Sequence, residues 1–344
     1  MGPSADAPRR LESVQASAPA RVDLAGGTLD IPPLYLFHPP VCTVNAAVSL
    51  RAEVRARRRR DGRLSYRDLG SGAKRAWSSY GALREEAPSS DLAAGLLGEF
   101  QVPGGADVEV QTSAPRGSGL GGSSCLGVAV GAALSRLASA RLSRETLIER
   151  VKSVETRVIA GPTGYQDYYA AAFGGLSIID FGPRGPSRRS AGGESFLRAL
   201  ETRLLLVYSG VQHFSGTNNW ELFKRRMDGD RRMRRFFAAL AENSRRMRAA
   251  VLAGDLPGIA REMRRDWDTR RAMIPGMSTP PIDRFLAGAK RLGSWGHRVC
   301  GAGGGGCVAL LAPPSAHPGI KAFASRLGMS PLSVSIERSG LTYA

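Results

Sequence analysis

The sequence predicts an α+β fold with two subdomains, and three observations point to it. The chain has 344 residues, of which 42% are apolar, enough for a substantial core. Strand and helix patterns are mixed along its length rather than repeated as βαβ units. Residues 182–193 read GPRGPSRRSAGG, and this Pro, Gly and Ser content is typical of a linker.

The linker sets the expected domain bounds. Residues 1–17 are polar and lack the apolar stretch of a secretory signal, so we expect a flexible tail there. An N-terminal domain is expected over residues 18–185 and a C-terminal domain over residues 195–344. No apolar run approaches the roughly 18 residues of a membrane helix, so we expect no membrane partner. Four cysteines without a C-x-x-C pair indicate reduced thiols, no structural zinc and a cytoplasmic location.

The elements of the N-terminal half follow from residue periodicity. Residues 41–57 and 106–112 alternate in the manner of strands. A glycine-rich turn and a helix of small residues over 123–139 come next. Ser143 is the expected N-cap of a second helix, with Glu145 in its first turn. The apolar stripe of that helix comprises Leu147, Val151, Val154 and Val158.

The C-terminal half combines short strands with arginine-rich helices. Residues 204–208 (LLLVY) predict a buried strand, and residues 219–252 and 256–273 predict two long helices. The pair Pro280-Pro281 interrupts the helical pattern before a shorter helix over 282–292. Finally, two strands over 297–300 and 307–311 flank the segment GAGGGG.

The net charge of +18 favours anionic partners such as nucleotides, phosphorylated metabolites or nucleic acids. Only five of the 48 basic residues are lysines. The arginine runs at 57–60 and 231–235 carry few interleaved aromatic residues and no nucleic-acid-binding signature. We therefore expect most arginines on solvated faces and do not expect nucleic acid as a partner.

The strongest motif is the segment PRGSGLGGSSC at residues 115–125, between a predicted strand and a predicted helix. Its glycines let the backbone curl so that several N–H groups and the helix N-terminus can bind a phosphate. Ser123 and Ser124 add hydroxyls that could hold a phosphate oxygen or Mg²⁺. The segment lacks the lysine of a P-loop, and its G-x-G-x-x-G match lacks the following strand with an acidic end. A simple turn is the remaining alternative.

Three ordered segments resemble the motifs of the kinases named for galactokinase, homoserine kinase, mevalonate kinase and phosphomevalonate kinase (GHMP kinases). They are residues 19–30 (PARVDLAGGTLD), 115–125 and 301–307 (GAGGGGC). The GLGGSSC form is similar to the heptose 7-phosphate kinase branch. The resemblance implies a ribosomal protein S5-like N-terminal domain, a ferredoxin-like C-terminal domain, and ATP and Mg²⁺ as co-substrate and metal.

The resemblance also implies two sets of binding residues. Those for the nucleotide phosphates are Pro115, Gly117, Ser118, Gly119, Leu120, Gly121, Gly122, Ser123 and Ser124. Those for the acceptor are Gly27, Thr28, Asp30, Gly303 and Gly304, and Leu29 replaces the Thr that usually precedes the aspartate.

Glu155 borders the apolar stripe of the second predicted helix, so its carboxylate would be partly buried. Spacing alone favours an ordinary surface glutamate paired with Lys152 or Arg157. The resemblance implies instead that Ser124 and Glu155 hold Mg²⁺, which keeps several waters and needs few protein ligands.

Asp167 lies in the segment GYQDYYA, where the residues alone suit either a helix N-cap or a functional carboxylate. The segment resembles the Q-D-Q-Y-A-A-A motif of heptose kinases, with Tyr168 in place of the second Gln. By this resemblance Asp167 accepts the proton of a sugar hydroxyl, and Arg21 keeps it ionised and stabilises transferred charge. We expect His213 to be structural rather than a substrate contact.

The sequence thus predicts an ATP- and Mg²⁺-dependent kinase that phosphorylates a sugar or sugar phosphate, with the anomeric hydroxyl as a candidate. Three alternatives stay open: a mevalonate- or homoserine-type kinase for a non-sugar alcohol, an arginine-rich nucleic-acid-binding protein, and a ligand sensor on a degenerate kinase fold. The expected assembly is a monomer or a homodimer.

Overall fold

The computed structural model describes residues 11–212, 216–274 and 276–344, and these residues form two β-sheets with helices packed on them. Within those ranges the first sheet has eight strands: β1 Ser13–Ala25, β2 Val41–Arg58, β3 Leu64–Asp68, β4 Lys74–Trp77, β5 Ala106–Thr112, β6 Leu176–Gly182, β7 Gly185–Ala191 and β12 Thr342–Tyr343. The second has four: β8 Leu204–Tyr208, β9 Gly296–Val299, β10 Cys307–Leu311 and β11 Ser330–Leu332. The strand order is β12-β1-β2-β5-β3-β4 in the first sheet, with β6 on β2 and β7 on β6, and β11-β8-β10-β9 in the second.

Helices fill the connections between the strands. They are α1 Tyr80–Glu86, α2 Leu92–Glu99, α3 Gly122–Leu137, α4 Arg144–Ile159, α5 Gln166–Phe173, α6 Glu194–Glu201, α7 Gly216–Met227, α8 Arg231–Ala253, α9 Leu256–Met273, α10 Pro280–Arg291 and α11 His317–Arg326. Ser143 caps α4 by accepting a hydrogen bond from the Thr146 amide, as predicted.

Strand β1 lies where helices from both halves of the chain meet. Residues 18–25 of β1 and 41–48 of β2 are buried without alternation, so both faces of the sheet are covered there. Helices α3 and α5 pack on these strands from the N-terminal half, and α8 and α9 pack on them from the C-terminal half. Side chains near the end of β1 can therefore contact residues from distant parts of the sequence.

The α+β class is confirmed, but two expected boundary segments are regular structure. Strand β1 begins at Ser13, within the expected tail, because Val14 and Ala16 are buried against the sheet. The expected linker contains β7, which pairs antiparallel with β6. Arg188 of β7 hydrogen-bonds to the Ser177 hydroxyl, a tertiary contact that composition does not reveal. Residues 342–343, expected in the C-terminal domain, pair with β1.

Two predictions for the arginine-rich half also need correction. The single helix expected over 219–252 is two helices, because Asp230 caps α8 by accepting from the amides of Arg232 and Met233. Pro280 and Pro281 were expected to interrupt the helical pattern, but they are the first two residues of α10. Proline is tolerated there because the first amides of a helix have no partner within the helix. His213 lies outside the described residues.

All four cysteines are free and buried. Among the residues described, no helix combines the length and the apolar character that crossing a bilayer requires.

Candidate active site

A cavity of about 500 Å³ brings together most of the residues singled out from the sequence. Those that line it are Arg21, Gly27, Thr28, Asp30, Pro115, Gly117, Ser118, Gly119, Gly121, Gly122, Ser123, Ser124, Glu155 and Asp167. They come from β1 and the loop after it, the turn after β5, and helices α3, α4 and α5. Segments separated by more than 100 residues therefore form one site.

Three of the expected residues do not line the cavity. The Leu120 side chain is fully buried in the core. Gly304 donates its amide to the Met277 carbonyl at 2.7 Å, and Gly303 packs against the same methionine. Gly301 and Ala302, the first two residues of this glycine-rich segment, border the cavity instead.

The glycine-rich loop is fixed through its carbonyl groups. The Ser118 carbonyl accepts from the Cys307 amide at 2.8 Å, and the Leu120 carbonyl accepts from the Arg21 amide at 2.9 Å. The Gly119 carbonyl accepts from Arg21 Nη1 at 2.6 Å. Because C=O and the next N–H point in opposite directions in a trans peptide, the amides of residues 119–121 point away from these partners.

Helix α3 begins directly after this loop. Its N-cap is Gly121, in the left-handed conformation with φ of 72°, and no side chain among residues 11–212, 216–274 and 276–344 caps the helix. The amides of its first turn are therefore available to a ligand, at the positive end of a 16-residue helix dipole. This arrangement suits a phosphate group.

Gly119 gives a test of how tightly the loop is built. Its φ is 74°, and a Cβ there would lie 2.4 Å from the Cys300 carbonyl oxygen, which is backbone and cannot move aside. We expect Gly119→Ala to lower the free energy of unfolding by at least about 1–2 kcal/mol, from left-handed strain alone. Thermal unfolding measures the change. Gly182→Ala is the control, because it has an ordinary φ and nothing within 4 Å. Equal midpoints for the two variants would contradict the packing described.

Asp167 and Arg21 form the central ion pair of the site. Arg21 Nε and Nη2 both lie 2.7 Å from Asp167 Oδ1. The second oxygen, Oδ2, faces the glycine-rich loop, since a Cβ on Gly121 would lie 3.0 Å from it. Burial raises the pKa of Asp167, and the Arg21 guanidinium opposes that rise. One carboxylate oxygen thus faces the glycine-rich loop and is not used by Arg21.

Asp30 determines where α5 begins. Its Oδ2 accepts from the amides of Tyr165 at 2.7 Å and Gln166 at 2.9 Å, so Asp30 caps α5 from a distant segment. Asp167 is therefore not the N-cap that was one alternative from the sequence; it lies in the first turn of the helix. Burial raises the pKa of Asp30, partly offset by these two amides.

Glu155 is buried, and its hydrogen-bond partners among the described residues are all hydroxyl groups. Ser123 and Ser124 donate to its two oxygens, the latter at 2.9 Å, and Tyr168 donates to Oε2 at 2.6 Å. Burial raises the pKa of Glu155, and these hydroxyls oppose the rise without adding positive charge. A buried carboxylate beside two serine hydroxyls is a hard-oxygen donor set that fits Mg²⁺. The alternative of a surface glutamate paired with Lys152 or Arg157 is therefore wrong.

Sequence reasoning missed a buried ion network beside the cavity. Arg298 binds the carboxylates of Asp23 and, at 2.9 Å, Asp266. Arg270 Nε binds Asp266 at 2.6 Å. Burial favours a higher pKa for Asp266, but the positive charges of Arg270 and Arg298 outweigh this effect and hold the pKa below its usual value. The spacing of Asp266 and Arg270 (i, i+4) was the available signal. Nothing local distinguishes Arg298 from the many other arginines.

Comparison with known proteins shows which family this chain resembles. The family model described as "GHMP kinases N terminal domain" matches residues 75–175, and "GHMP kinases C terminal" matches residues 247–327. Together the two matches span more than half of the chain.

Individual relatives agree with the family models. The chain is similar to D-glycero-alpha-D-manno-heptose 7-phosphate kinase of Campylobacter jejuni, at 23% identity over 89% of this chain and 91% of the relative. A D-glycero-D-manno-heptose 1-phosphate kinase from Bacteroides thetaiotaomicron superposes with a TM-score of 0.75 at 20% identity, covering 96% of this chain and 98% of the other. Galactokinase of Lactococcus lactis, complexed with galactose, gives a TM-score of 0.79 at 17% identity, covering 97% and 95%. With family models matching both halves of the chain and a fold shared with solved members, this chain belongs to the GHMP kinases, a family of phosphotransferases.

Proposed function

We propose that this protein transfers the γ-phosphoryl group of ATP to a hydroxyl of a sugar or sugar phosphate, with Mg²⁺ as the metal. The similarity to a heptose 7-phosphate kinase over most of both chains supports this acceptor class. The observation that carries the proposal is the position of Asp167 Oδ2, directly beside the phosphate-binding turn at Gly121.

Asp167 and Arg21 have complementary roles in this reaction. Asp167 accepts the proton of the acceptor hydroxyl while the hydroxyl oxygen forms a bond to the γ-phosphorus and the bond to the ADP oxygen breaks. Arg21, which is 3% exposed, keeps Asp167 ionised by binding Oδ1. It also supplies fixed positive charge where the transferred phosphoryl group carries negative charge.

The amides of the loop and of the first turn of α3 would hold the nucleotide phosphates. Ser124 and Glu155 would hold the metal, which when bound neutralises charge on the β- and γ-phosphates. Tyr168 and Ser123 keep the Glu155 carboxylate in one orientation through their hydrogen bonds to it.

Tyr168 provides a test of the metal assignment. In Tyr168→Phe the hydrogen bond to Glu155 Oε2 is lost while the buried ring is kept. We expect the affinity for Mn²⁺, measured by calorimetry with a non-hydrolysable ATP analogue, to fall about 10-fold or more, as for other partners of metal ligands. Tyr66→Phe is a matched control, because Tyr66 is also buried but lies outside the cavity. Unchanged Mn²⁺ affinity in Tyr168→Phe would argue against a metal at Glu155.

An acceptor panel tests the proposed reaction. The protein is incubated with ATP and Mg²⁺ and with D-glycero-D-manno-heptose 7-phosphate, D-galactose or mevalonate, and phosphorylated products are detected by mass spectrometry. Phosphorylation of a sugar but not of mevalonate is the expected result. Phosphorylation of mevalonate alone would replace the sugar acceptor by a non-sugar alcohol. Nuclear magnetic resonance of the sugar product identifies the hydroxyl that is modified and so tests the anomeric position.

A further inference from the structure

Three polar groups converge on Gly27, in the wall of the cavity next to Asp30. A Cβ at Gly27 would lie 2.7 Å from Gln166 Nε2, 3.4 Å from Asp23 Oδ2 and 3.5 Å from Arg270 Nη2. The absence of a side chain at this residue is what allows the three groups to approach one another. Gln166 and Arg270 both line the cavity, and neither was singled out from the sequence.

Gln166 has an unused acceptor in this cluster. Its side chain is 8% exposed, and its Oε1 is buried without a hydrogen-bond partner among the described residues. A buried amide oxygen without a donor costs about 1–3 kcal/mol. Gln166 lines the cavity with Nε2 toward Gly27, and Nε2 also has no hydrogen bond to a described residue. A half-turn about the terminal torsion exchanges the two ends of the amide, so Oε1 can be turned toward a ligand that supplies the missing donor. Gln166 and Asp167 both line the cavity, so the ligand group that Gln166 contacts lies in the same cavity as the reacting hydroxyl.

Arg270 has unused donors in the same cluster. It binds Asp266 through Nε, Thr28 Oγ1 through Nη1 and the Gly27 carbonyl through Nη2. Within the part of the chain that the structure describes, these bonds use three of the five N–H groups of the guanidinium, which leaves two for a ligand. The side chain is 3% exposed, and it reaches the cavity from α9 in the C-terminal half.

The charges around the cluster are balanced. Asp266 neutralises Arg270, and Arg298 pairs with Asp23. The cluster therefore has no excess positive charge to attract a second phosphate or a carboxylate. The cluster offers one acceptor, on Gln166, and free N–H donors, on Arg270. Two hydroxyl groups of a ligand match these groups, because a hydroxyl can both donate and accept a hydrogen bond.

We propose that Gln166 and Arg270 form a subsite that binds two neighbouring hydroxyls of a polyhydroxylated acceptor and so select sugars over simple alcohols. This inference rests on the proposed sugar kinase function and adds the residues that would recognise the acceptor. Gln166 Oε1 accepts from one hydroxyl, and Arg270 donates to the other. Any phosphate already on the acceptor lies outside this cluster.

Steady-state kinetics separate this role from a purely structural one. Gln166→Leu and Arg270→Lys are compared with wild type, each with ATP and with whichever of D-galactose and D-glycero-D-manno-heptose 7-phosphate wild type binds more tightly. We expect the KM for the sugar to rise about tenfold or more, because a buried polar group is left without its partner, while the KM for ATP changes less than twofold. A purely structural defect would change both KM values. The thermal midpoint adds to this comparison only for Gln166→Leu, because Arg270→Lys also loses bonds within the buried ion network.

Gly27→Ala tests the same subsite through the backbone. The φ of Gly27 lies outside the left-handed region, so alanine is compatible with the backbone, but its methyl group would occupy the space between Gln166 and Arg270. We expect this variant also to raise the sugar KM without changing the ATP KM. The matched controls are Gln111→Leu, an exposed glutamine on β5, and Arg246→Lys, whose arginine pairs with Glu242 at the same i, i+4 spacing on α8.

Ligand-observed nuclear magnetic resonance of the sugar separates failure of this inference from failure of the proposed function. If wild type binds the sugar and Gln166→Leu does not, the subsite is supported even when no phosphoryl transfer is detected. If transfer occurs and all three variants keep the wild-type sugar KM, the subsite is overturned while the kinase function stands. Absence of sugar binding to wild type would overturn the subsite directly.

Discussion

Asp167→Asn is expected to lower kcat about 10²–10⁴-fold, the usual contribution of a group that accepts a proton in the transition state. Asparagine keeps the volume of the side chain and can still accept from Arg21 through its amide oxygen. Its amide cannot take up the proton of the acceptor hydroxyl, so the affinity for nucleotide should stay near wild type while turnover falls. Stopped assays of ADP formation and calorimetry of nucleotide binding measure the two quantities.

Asp283→Asn is a matched control for this prediction. Asp283, like Asp167, lies in the first turn of a helix and is close to an arginine, but it is outside the cavity. We expect the kcat of Asp283→Asn to stay within about twofold of wild type, because substitutions of surface residues outside the site usually have small effects. A kcat for Asp167→Asn within tenfold of wild type would show that Asp167 orients the acceptor without accepting its proton.

The pH dependence of kcat adds an independent readout. Burial raises the pKa of Asp167 above its ordinary value, while Arg21 opposes the rise. Because the ionised carboxylate is the proton acceptor, wild-type kcat should fall as the pH is lowered through this raised pKa. The acidic limb attributable to Asp167 should be absent from the residual activity of Asp167→Asn.

Arg298→Met is expected to have the largest effect on stability. The Arg298 side chain is fully buried and binds the carboxylates of Asp23 and Asp266, so methionine would leave these two buried charges without that partner. Breaking a buried ion pair from one side costs about 3–5 kcal/mol. Thermal unfolding followed by calorimetry should show a midpoint well below that of wild type.

The exposed residue Arg284 offers a matched control on a neighbouring helix. Arg284→Met should change the free energy of unfolding by no more than about 0.5 kcal/mol, as surface substitutions usually do. If Arg298→Met does not accumulate as folded protein, Arg298→Lys is used instead. Lysine keeps the charge but not the planar set of N–H groups, so the thermal midpoint should fall, by less than full removal of the charge would cause. Equal midpoints for Arg298→Met and Arg284→Met would show that the buried network is not important for stability.

The local parts of the site could be predicted from the sequence because they are contiguous. The glycine-rich loop runs directly into helix α3, so the phosphate-binding role that we propose for it could be predicted from residues 115–124 alone. The strand β5 and the N-cap at Ser143 are likewise local, set by alternation and by one side-chain hydrogen bond. The pairing of Asp167 with Arg21 was implied by the family resemblance and not by spacing.

The sequence by itself predicted the α+β class, the three ordered motifs and the glycine-rich turn ahead of a helix, because each depends on neighbouring residues and on short-range backbone geometry. Only the tertiary structure decided that Asp30 caps α5, that residues 185–191 form a strand, that Arg270 lines the cavity and that Arg298 lies in the buried network beside it. These contacts join residues more than 100 positions apart, or depend on a partner strand. Burial and charge pairing at such distances are fixed by packing of the whole chain, which no local pattern records.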